Sequence, residues 1–445
     1  MLVNELGCFV AQLDYDALPP EVVEAAKLRI LDLLAASLAG FHLGSHELLL
    51  PLLDGAPEAT VWGIGRKLPL RDAALINSFV SHSQYLEDGS RYTGGHPSSV
   101  VIPAALTLAE TGHASGKALI AAVVAGYEIF LRLGRAIYPS TVVRGFQSTA
   151  VLGAPSSAAA CAQLLRFDPQ QAKNALAIAC NLGGGLKEAL KSSDSQPIQV
   201  ARSCEGGMLA AQLAGRGAAG ADAILEQGFL KAYADDAHVD QILQGLGREY
   251  RITETYLKIH AGCRGNHAPV DAVLEAMRAH AIDPSAIRSI RVAVDTVTYA
   301  AEIHQPASGA EAQFSIAFSI AAALVEGNAS IFQFTDRKVA DPRVQQTMQR
   351  ITVEVDKKLD LGYPDQRGAW AEITLNDGTQ RRGSVDNARG EPEFPFSRAD
   401  IEAKFIGLGQ RMLGSKAAQV RDSVLALETL ADASLLATQL GGTAG

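Results

Sequence analysis

The spacing of apolar residues changes twice along this chain, and those changes constrain its fold more than any other feature. Up to about residue 265 apolar side chains recur every three to four positions. Val23, Ala26, Ile30, Leu34 and Leu38 form one such series, opened by Pro19-Pro20 and stopped by Gly40. This spacing lines one stripe of a helix against a core. Residues 72–82, 100–111 and 117–137 read the same way. Asp168-Pro169-Gln170-Gln171 predicts a capping-box start for a helix running to about Asn181, which Gly183-Gly184-Gly185 breaks. A helix is also expected over 203–214. Beyond residue 265 the period shortens in places to two. Ile290, Val292 and Val294 alternate as in a strand, 351–355 reads as a short strand, and 371–375 and 379–385 flank Asn376-Asp377-Gly378, whose Asp-Gly pair suits a tight hairpin turn. Helices over 268–279 and 313–325 interleave with these strands. Helical spacing then returns from the capping residues Ser397 to Asp400 as far as about Leu413, and again over 422–440.

At 445 residues the chain is too long for one small core. The pattern predicts a mostly α protein with an α+β part: an all-helical domain over 1–265 and 397–445, and a smaller α+β domain over 266–396 inserted between its halves. Aromatics are only 6% while Ala and Leu abound, which favours helices packed on small side chains. A net charge of −9, with no basic run, argues against nucleic acid as a partner. Apolar stretches such as 118–126 are too short for a membrane span, and no membrane partner is expected. Met1 to Gln12 lacks a basic region and a long apolar core, so a cytoplasmic protein is expected. The five cysteines form no CxxC pair. Cys161, Cys180 and Cys204, set among Ala, Leu and Gly, read as small buried hydrophobes.

Chemistry concentrates in a few short stretches. Glu87-Asp88-Gly89-Ser90-Arg91-Tyr92-Thr93-Gly94-Gly95-His96-Pro97 brings carboxylates, an arginine and a histidine into a loop ahead of an apolar helix. Lys258-Ile259-His260-Ala261-Gly262-Cys263-Arg264-Gly265-Asn266-His267 falls at the expected domain boundary, where clefts commonly form. Lys258 and Arg264 suit a carboxylate ligand, Arg264 through a bidentate fork; a polar linker facing water accounts for the same residues. His260, Cys263 and His267 match no established zinc spacing, and no metal is expected. Arg144 and Gln147, ahead of a small-residue run, could steer and hydrogen-bond a substrate, or else Arg144 is solvated and Ser148 or Thr149 caps a helix. Lys187, Lys191, Asp194 and Gln196 read as cleft residues or as plain surface charge. No dinucleotide fingerprint, P-loop, HExxH or nucleophile elbow is present. What remains is chemistry that needs a base near neutral pKa, a proton donor and cationic anchors: proton abstraction beside a carboxylate, elimination, decarboxylation or epimerisation.

These stretches, taken in order, resemble the MmgE/PrpD family, which includes 2-methylcitrate dehydratases, cis-aconitate decarboxylases and iminodisuccinate epimerases. The resemblance rests on His82-Ser83 through Asp88-Gly89, His96-Pro97-Ser98, Gly126-Tyr127-Glu128, the Lys258 to His267 segment, and Arg389-Gly390-Glu391-Pro392. It implies a large helical domain with a smaller α/β one, usually as a homodimer, with no metal or organic cofactor. It implies His96 as catalytic histidine, Lys258 as active-site lysine and Asp88 as one aspartate of an acidic loop. Arg264, His267, Gln147, Gln196, Arg144 and Tyr85 are the expected substrate-binding residues. This chain also departs from the pattern. Tyr85 stands where an aspartate is usual, Gln147 and Gln199 where a histidine is common, and Gln196 where a lysine is common; an amide hydrogen-bonds but does not exchange protons. The expected function is a cofactor-free lyase, of dehydratase or decarboxylase type, acting on a small carboxylate. An epimerase or isomerase on the same scaffold, and a non-catalytic binding protein that retains the fold, are the alternatives.

Overall fold

A computed structural model describes residues 1–191, 195–363 and 365–442. Its principal helices are α1 (Leu2–Gln12), α2 (Pro20–His42), α3 (Leu70–His82), α4 (Ser98–Thr111), α5 (Gly116–Ile137), α6 (Ser148–Leu164), α7 (Pro169–Ala179), α8 (Ser195–Gly215), α9 (His267–His280), α10 (Ile316–Glu326), α11 (Arg398–Leu413), α12 (Lys416–Leu425) and α13 (Ser434–Leu440). The protein is mostly α. It divides into two compact units: Met1–Ser83, Glu87–Thr255 and Ser397–Gly445 form the first; Gln84–Leu86 and Tyr256–Phe396 form the second.

In the first unit α6 is the centre, packed against α4, α5, α7 and α8. Its sequence is dominated by Ala, Ser and Gly, and almost every residue is buried. Small side chains let these helices approach until backbone meets backbone. A Cβ at Gly207 of α8 would collide with the Ala154 carbonyl of α6, and one at Gly126 of α5 would lie 2.5 Å from Val101 of α4. Overpacking of this kind typically costs about 1–3 kcal/mol. The capping box at the start of α7 is present: Asp168 accepts from the Gln171 N–H, and the Gln171 side chain accepts from the Asp168 N–H. α8 begins at Ser195, eight residues ahead of the helix that spacing alone predicts. A ribbon of two two-residue strands, β1 (Ala59–Thr60) and β2 (Lys67–Leu68), and several short helical turns also belong to this unit.

The second unit is built on a four-stranded sheet of β3 (Ile287–Val294), β4 (Ile351–Val355), β5 (Ala369–Leu375) and β6 (Gln380–Val385), in the order β4-β3-β5-β6. β3 and β4 are parallel, and the other pairs antiparallel. β5 and β6 form the hairpin their sequence predicts, with Gly378 at φ +88° in the turn. α9 covers β5 and β6 and also packs on α10. α10 starts at Ile316, not at Gln313, because the Ser315 side chain accepts from the Phe318 N–H and fixes the N-cap there. No described helix is long and apolar enough to cross a membrane.

Candidate active site

α3 ends on His82 and α4 begins at Ser98, so residues 83–97 form the loop between two buried helices of the first unit, apart from Gln84–Leu86, which group with the second. The loop closes on itself: Ser90 N–H donates to the Gly95 carbonyl and Gly94 N–H to the Ser90 carbonyl, both at 2.9 Å. Gly94 takes φ +62° at the turn, where a side chain would also strike Tyr138. This closure delivers His96 at the return of the loop. Its N–H donates to Thr149 Oγ1 (3.1 Å), and its ring Nδ1 lies 2.6 Å from the Asp88 carbonyl. A carbonyl only accepts, so Nδ1 carries a proton and Nε2 is the basic nitrogen of the neutral ring. The side chain is 17% exposed in a cluster whose carboxylates are sealed from solvent.

Asp88 is fully buried. Its carboxylate accepts from the Ser98 N–H (3.2 Å) at the start of α4 and from Tyr127 Oη–H (2.8 Å) of α5. Burial raises its pKa to about 6; those two hydrogen bonds and the Arg29 charge oppose the rise without cancelling it. A carboxyl group that titrates near neutrality can hold or release a proton at working pH. Asp88 thus meets His96 through its main chain, while its carboxylate faces Tyr127.

The adjacent carboxylate does meet imidazoles. Glu87 Oε1 is 2.5 Å from His82 Nδ1 and 3.7 Å from His96 Nδ1, and the two rings lie 5.4 Å apart, edge to face. The other His82 nitrogen, Nε2, is 2.5 Å from the Gln196 side-chain amide, and Ser99 Oγ is 3.3 Å from Nδ1. With the His82 Nδ1 proton on Glu87, Nε2 accepts from the Gln196 NH2. Beneath the loop, Lys404 pairs with buried Asp32 (2.5 Å), and Arg29 donates to Thr255 Oγ1 and to the Thr255 carbonyl, both at 2.9 Å.

His82, Glu87, Tyr127, Arg29 and Asp32 are the members that sequence reasoning did not single out as site residues. His82 and Glu87 bracket the acidic loop and Tyr127 lies in the Gly-Tyr-Glu stretch, so a signal existed for these three. Arg29 and Asp32 sit inside an unbroken helical pattern and give none. Of the expected binding residues in this unit, Gln196 joins the cluster. Gln147 does different work: it is the N-cap of α6, with Oε1 accepting from the Ala150 N–H at 2.6 Å. The structure gives the capping role to Gln147, not to Ser148 or Thr149, because the chain turns helical one residue earlier. Arg144 is exposed and lies 3.5 Å from Asp235. Gln199 closes both backbone groups of Leu186. Lys187 is exposed; the Lys191 side chain and Asp194 lie outside the described residues.

In the second unit Lys258 is 1% exposed and donates from Nζ to the Tyr85 carbonyl at 2.7 Å. Tyr85 takes φ +50° and packs its ring edge-on to Phe314. Arg264 directs its guanidinium into the protein. Nε and Nη2 grip Glu391 at 2.9 and 2.8 Å, Nη1 donates to His267 Nδ1 at 3.1 Å, and its face covers the Tyr256 ring. Its fork, expected on a substrate carboxylate, thus closes on Glu391. Burial first, then the Arg264, His260 and Lys258 charges, hold the His267 pKa well below the ordinary histidine value, so the ring is neutral with its proton on Nε2. His260 pairs with Asp271 at 3.0 Å. Among the described residues no group of three or more His, Cys, Asp and Glu is arranged to hold a metal ion.

Two family models together match most of the chain, and the second runs beyond the second unit into the C-terminal helices of the first. The MmgE/PrpD N-terminal domain matches residues 4–242, and the MmgE/PrpD C-terminal domain matches residues 260–429. Over 473 residues the chain is 29% identical to a cis-aconitate decarboxylase-like protein, oryM, of Aspergillus oryzae, covering 98% of this chain and 97% of that one. It is 28% identical to a cis-aconitate decarboxylase of Aspergillus terreus (98% and 95% covered) and 27% identical to the human cis-aconitate decarboxylase (96% and 91% covered).

Proposed function

The chain belongs to the MmgE/PrpD family, and from that premise we propose that it is a lyase that breaks a bond beside the carboxylate of a small polycarboxylate by moving a proton at the α carbon. The observation that carries this reading is His96: Nδ1 is tied to a main-chain carbonyl, which makes Nε2 the nitrogen that gains and loses a proton, and the ring is partly open amid buried carboxylates. In the decarboxylating direction on an unsaturated substrate, the C–C bond to a carboxylate breaks and CO2 leaves, its bonding electrons form a new double bond, and the π electrons of the original double bond take the proton that protonated His96 delivers to carbon. In the dehydrating direction, neutral His96 removes the α proton as a hydroxyl departs. We assign Lys258 the positive charge that complements the substrate's carboxylate, with His267 as a neutral N–H donor. Arg264 braces His267 and the 388–391 segment; Gln196, through His82, holds the acidic loop.

The relatives' names make an unsaturated tricarboxylate such as cis-aconitate the first substrate to test. The purified protein is incubated with cis-aconitate, citrate, 2-methylcitrate and iminodisuccinate, and CO2 release, water loss and solvent-deuterium exchange are followed. Turnover of one of them, cut about 10²–10⁴-fold in His96→Gln with an unchanged melting temperature, is the expected result. Equal turnover in the variant overturns the role of His96. Ligand-induced thermal stabilisation with neither turnover nor exchange overturns the lyase reading in favour of a binding protein. A second reading, epimerisation, needs a second proton carrier, for which Asp88, its pKa raised by burial to about 6 and its carboxylate hydrogen-bonded to Tyr127, is the candidate; deuterium exchange without loss of water or CO2 identifies it.

A further inference from the structure

The geometry points to Glu87, rather than Asp88, as the counter-charge that sets the proton affinity of His96, with His82 and Gln196 as the residues that position it. This inference rests on the proposed role of His96 as the proton carrier. Both carboxylates sit in the same loop, and on sequence alone the aspartate is the natural partner. The contacts divide them differently. The Asp88 oxygens are engaged by the Ser98 N–H and Tyr127 Oη–H, and what Asp88 offers His96 is a neutral main-chain carbonyl. Glu87 brings Oε1 within ion-pair range of His96 Nδ1, 3.7 Å away, and its side chain is fully buried. When His96 Nε2 takes up a proton, the positive ring faces an anion that neither water nor salt screens.

The same oxygen is anchored from its other side. His82 Nδ1 lies 2.5 Å from it, and His82 is itself fixed by the Gln196 amide at Nε2 and by Ser99 at Nδ1. Gln196 comes from α8, 114 residues away in sequence from His82. An amide in that position holds the His82 ring without adding charge, whereas an ammonium there would draw the Glu87 field away from His96. The chain thus arranges His96, Glu87, His82 and Gln196 in series, with one anion between two imidazoles. Other charged groups also face the loop: Lys258 Nζ donates to the Tyr85 carbonyl, and the Asp32 charge acts on Glu87 as well as on Asp88. From α2 come Arg29, whose charge acts on Asp88, and Asp32, which pairs with Lys404 of α11; from α5 comes Tyr127, on Asp88; from α6 comes Thr149, on the His96 N–H.

The test needs no substrate, so it stands apart from the lyase reading. The full-length protein, labelled at its ten histidines, is titrated by NMR, and the His96 ring signals are assigned by their loss in His96→Gln. Glu87→Gln is expected to lower the His96 proton affinity at least about tenfold, the usual effect of removing an opposite charge within ion-pair range, whereas Asp88→Asn moves it less than about threefold. Where turnover is found, the limb of the kcat/KM profile that His96 sets, the alkaline limb if it acts as the acid in decarboxylation and the acid limb if it acts as the base in dehydration, moves to lower pH by the same factor in Glu87→Gln, with KM unchanged. If near-UV dichroism reports that Glu87→Gln has lost the fold, Glu87→Asp carries the test: it keeps the charge but draws it back, and His96 must lose proton affinity. A His96 titration unchanged by the folded Glu87 variant, or moved as much by Asp88→Asn, overturns the inference.

Discussion

Asp88→Asn should change the pH dependence of stability in a direction the structure dictates. Asp88 is fully buried, and burial raises its pKa from the ordinary 3.8 to about 6. The folded state therefore holds the Asp88 proton more tightly than the unfolded chain does. The folded protein binds the extra proton between those two values, so stability falls as pH rises through them. Nothing is lost to this group below about pH 3.8. At 1.36 kcal/mol per tenfold change in affinity, the full cost reaches about 3 kcal/mol above pH 7. Roughly half of it is already present at pH 5, so about 1–2 kcal/mol more accrues between pH 5 and pH 8. Asparagine carries no charge to bury. Its carbonyl accepts from Ser98, and Tyr127 can turn its hydroxyl to accept from the amide. Urea denaturation of both proteins at pH 5, 6, 7 and 8 should find the stability of Asp88→Asn, relative to the parent, improving by about 1–2 kcal/mol across that range. A relative stability that is flat with pH, or that worsens as pH rises, refutes a raised Asp88 pKa. With it would fall the case for Asp88 as a second proton carrier.

Two further substitutions test other assignments. Gln147→Ala removes the N-cap of α6 and should cost about 1 kcal/mol in thermal or chemical denaturation; a weakened KM at unchanged stability would instead make Gln147 a substrate contact. Arg264→Ala leaves Glu391 buried without its cation and should cost about 3–5 kcal/mol. Hydrogen exchange should then rise in the 388–391 segment, whose Ala388 and Arg389 carbonyls Arg264 holds, and an unchanged exchange pattern would count against the bracing role.

Much of the architecture was legible without coordinates, because it depends on local physics. The helices over 20–42 and 169–179 follow from a 3.6-residue period and recognisable caps, and the 369–385 hairpin from alternation about Asp377-Gly378. The strands appear where the period falls to two. Where local signals conflict, helix boundaries in sequence and structure part. The first turns of α8, Ser195 to Arg202, carry Gln, Pro and Arg and looked like surface loop, yet they are helical and bring Gln196 beneath the acidic loop.

The 83–97 loop was marked as chemical ground by its glycines, proline and ionisable side chains. Its partners were not, since pairing across a hundred residues leaves no trace in spacing. Composition alone allowed Gln147 and Arg264 to face a substrate. The fold commits Gln147 to a helix end and the Arg264 fork to Glu391, because buried N–H and carboxylate groups must be satisfied wherever they fall. By itself the sequence determined the helical frame, the inserted strands and the loop on which His96 sits. Only the tertiary structure decided that the Asp88 carboxylate turns to Tyr127 while Glu87 lies between His82 and His96. Adjacent residues in an irregular loop point in directions that close packing sets, and local sequence does not.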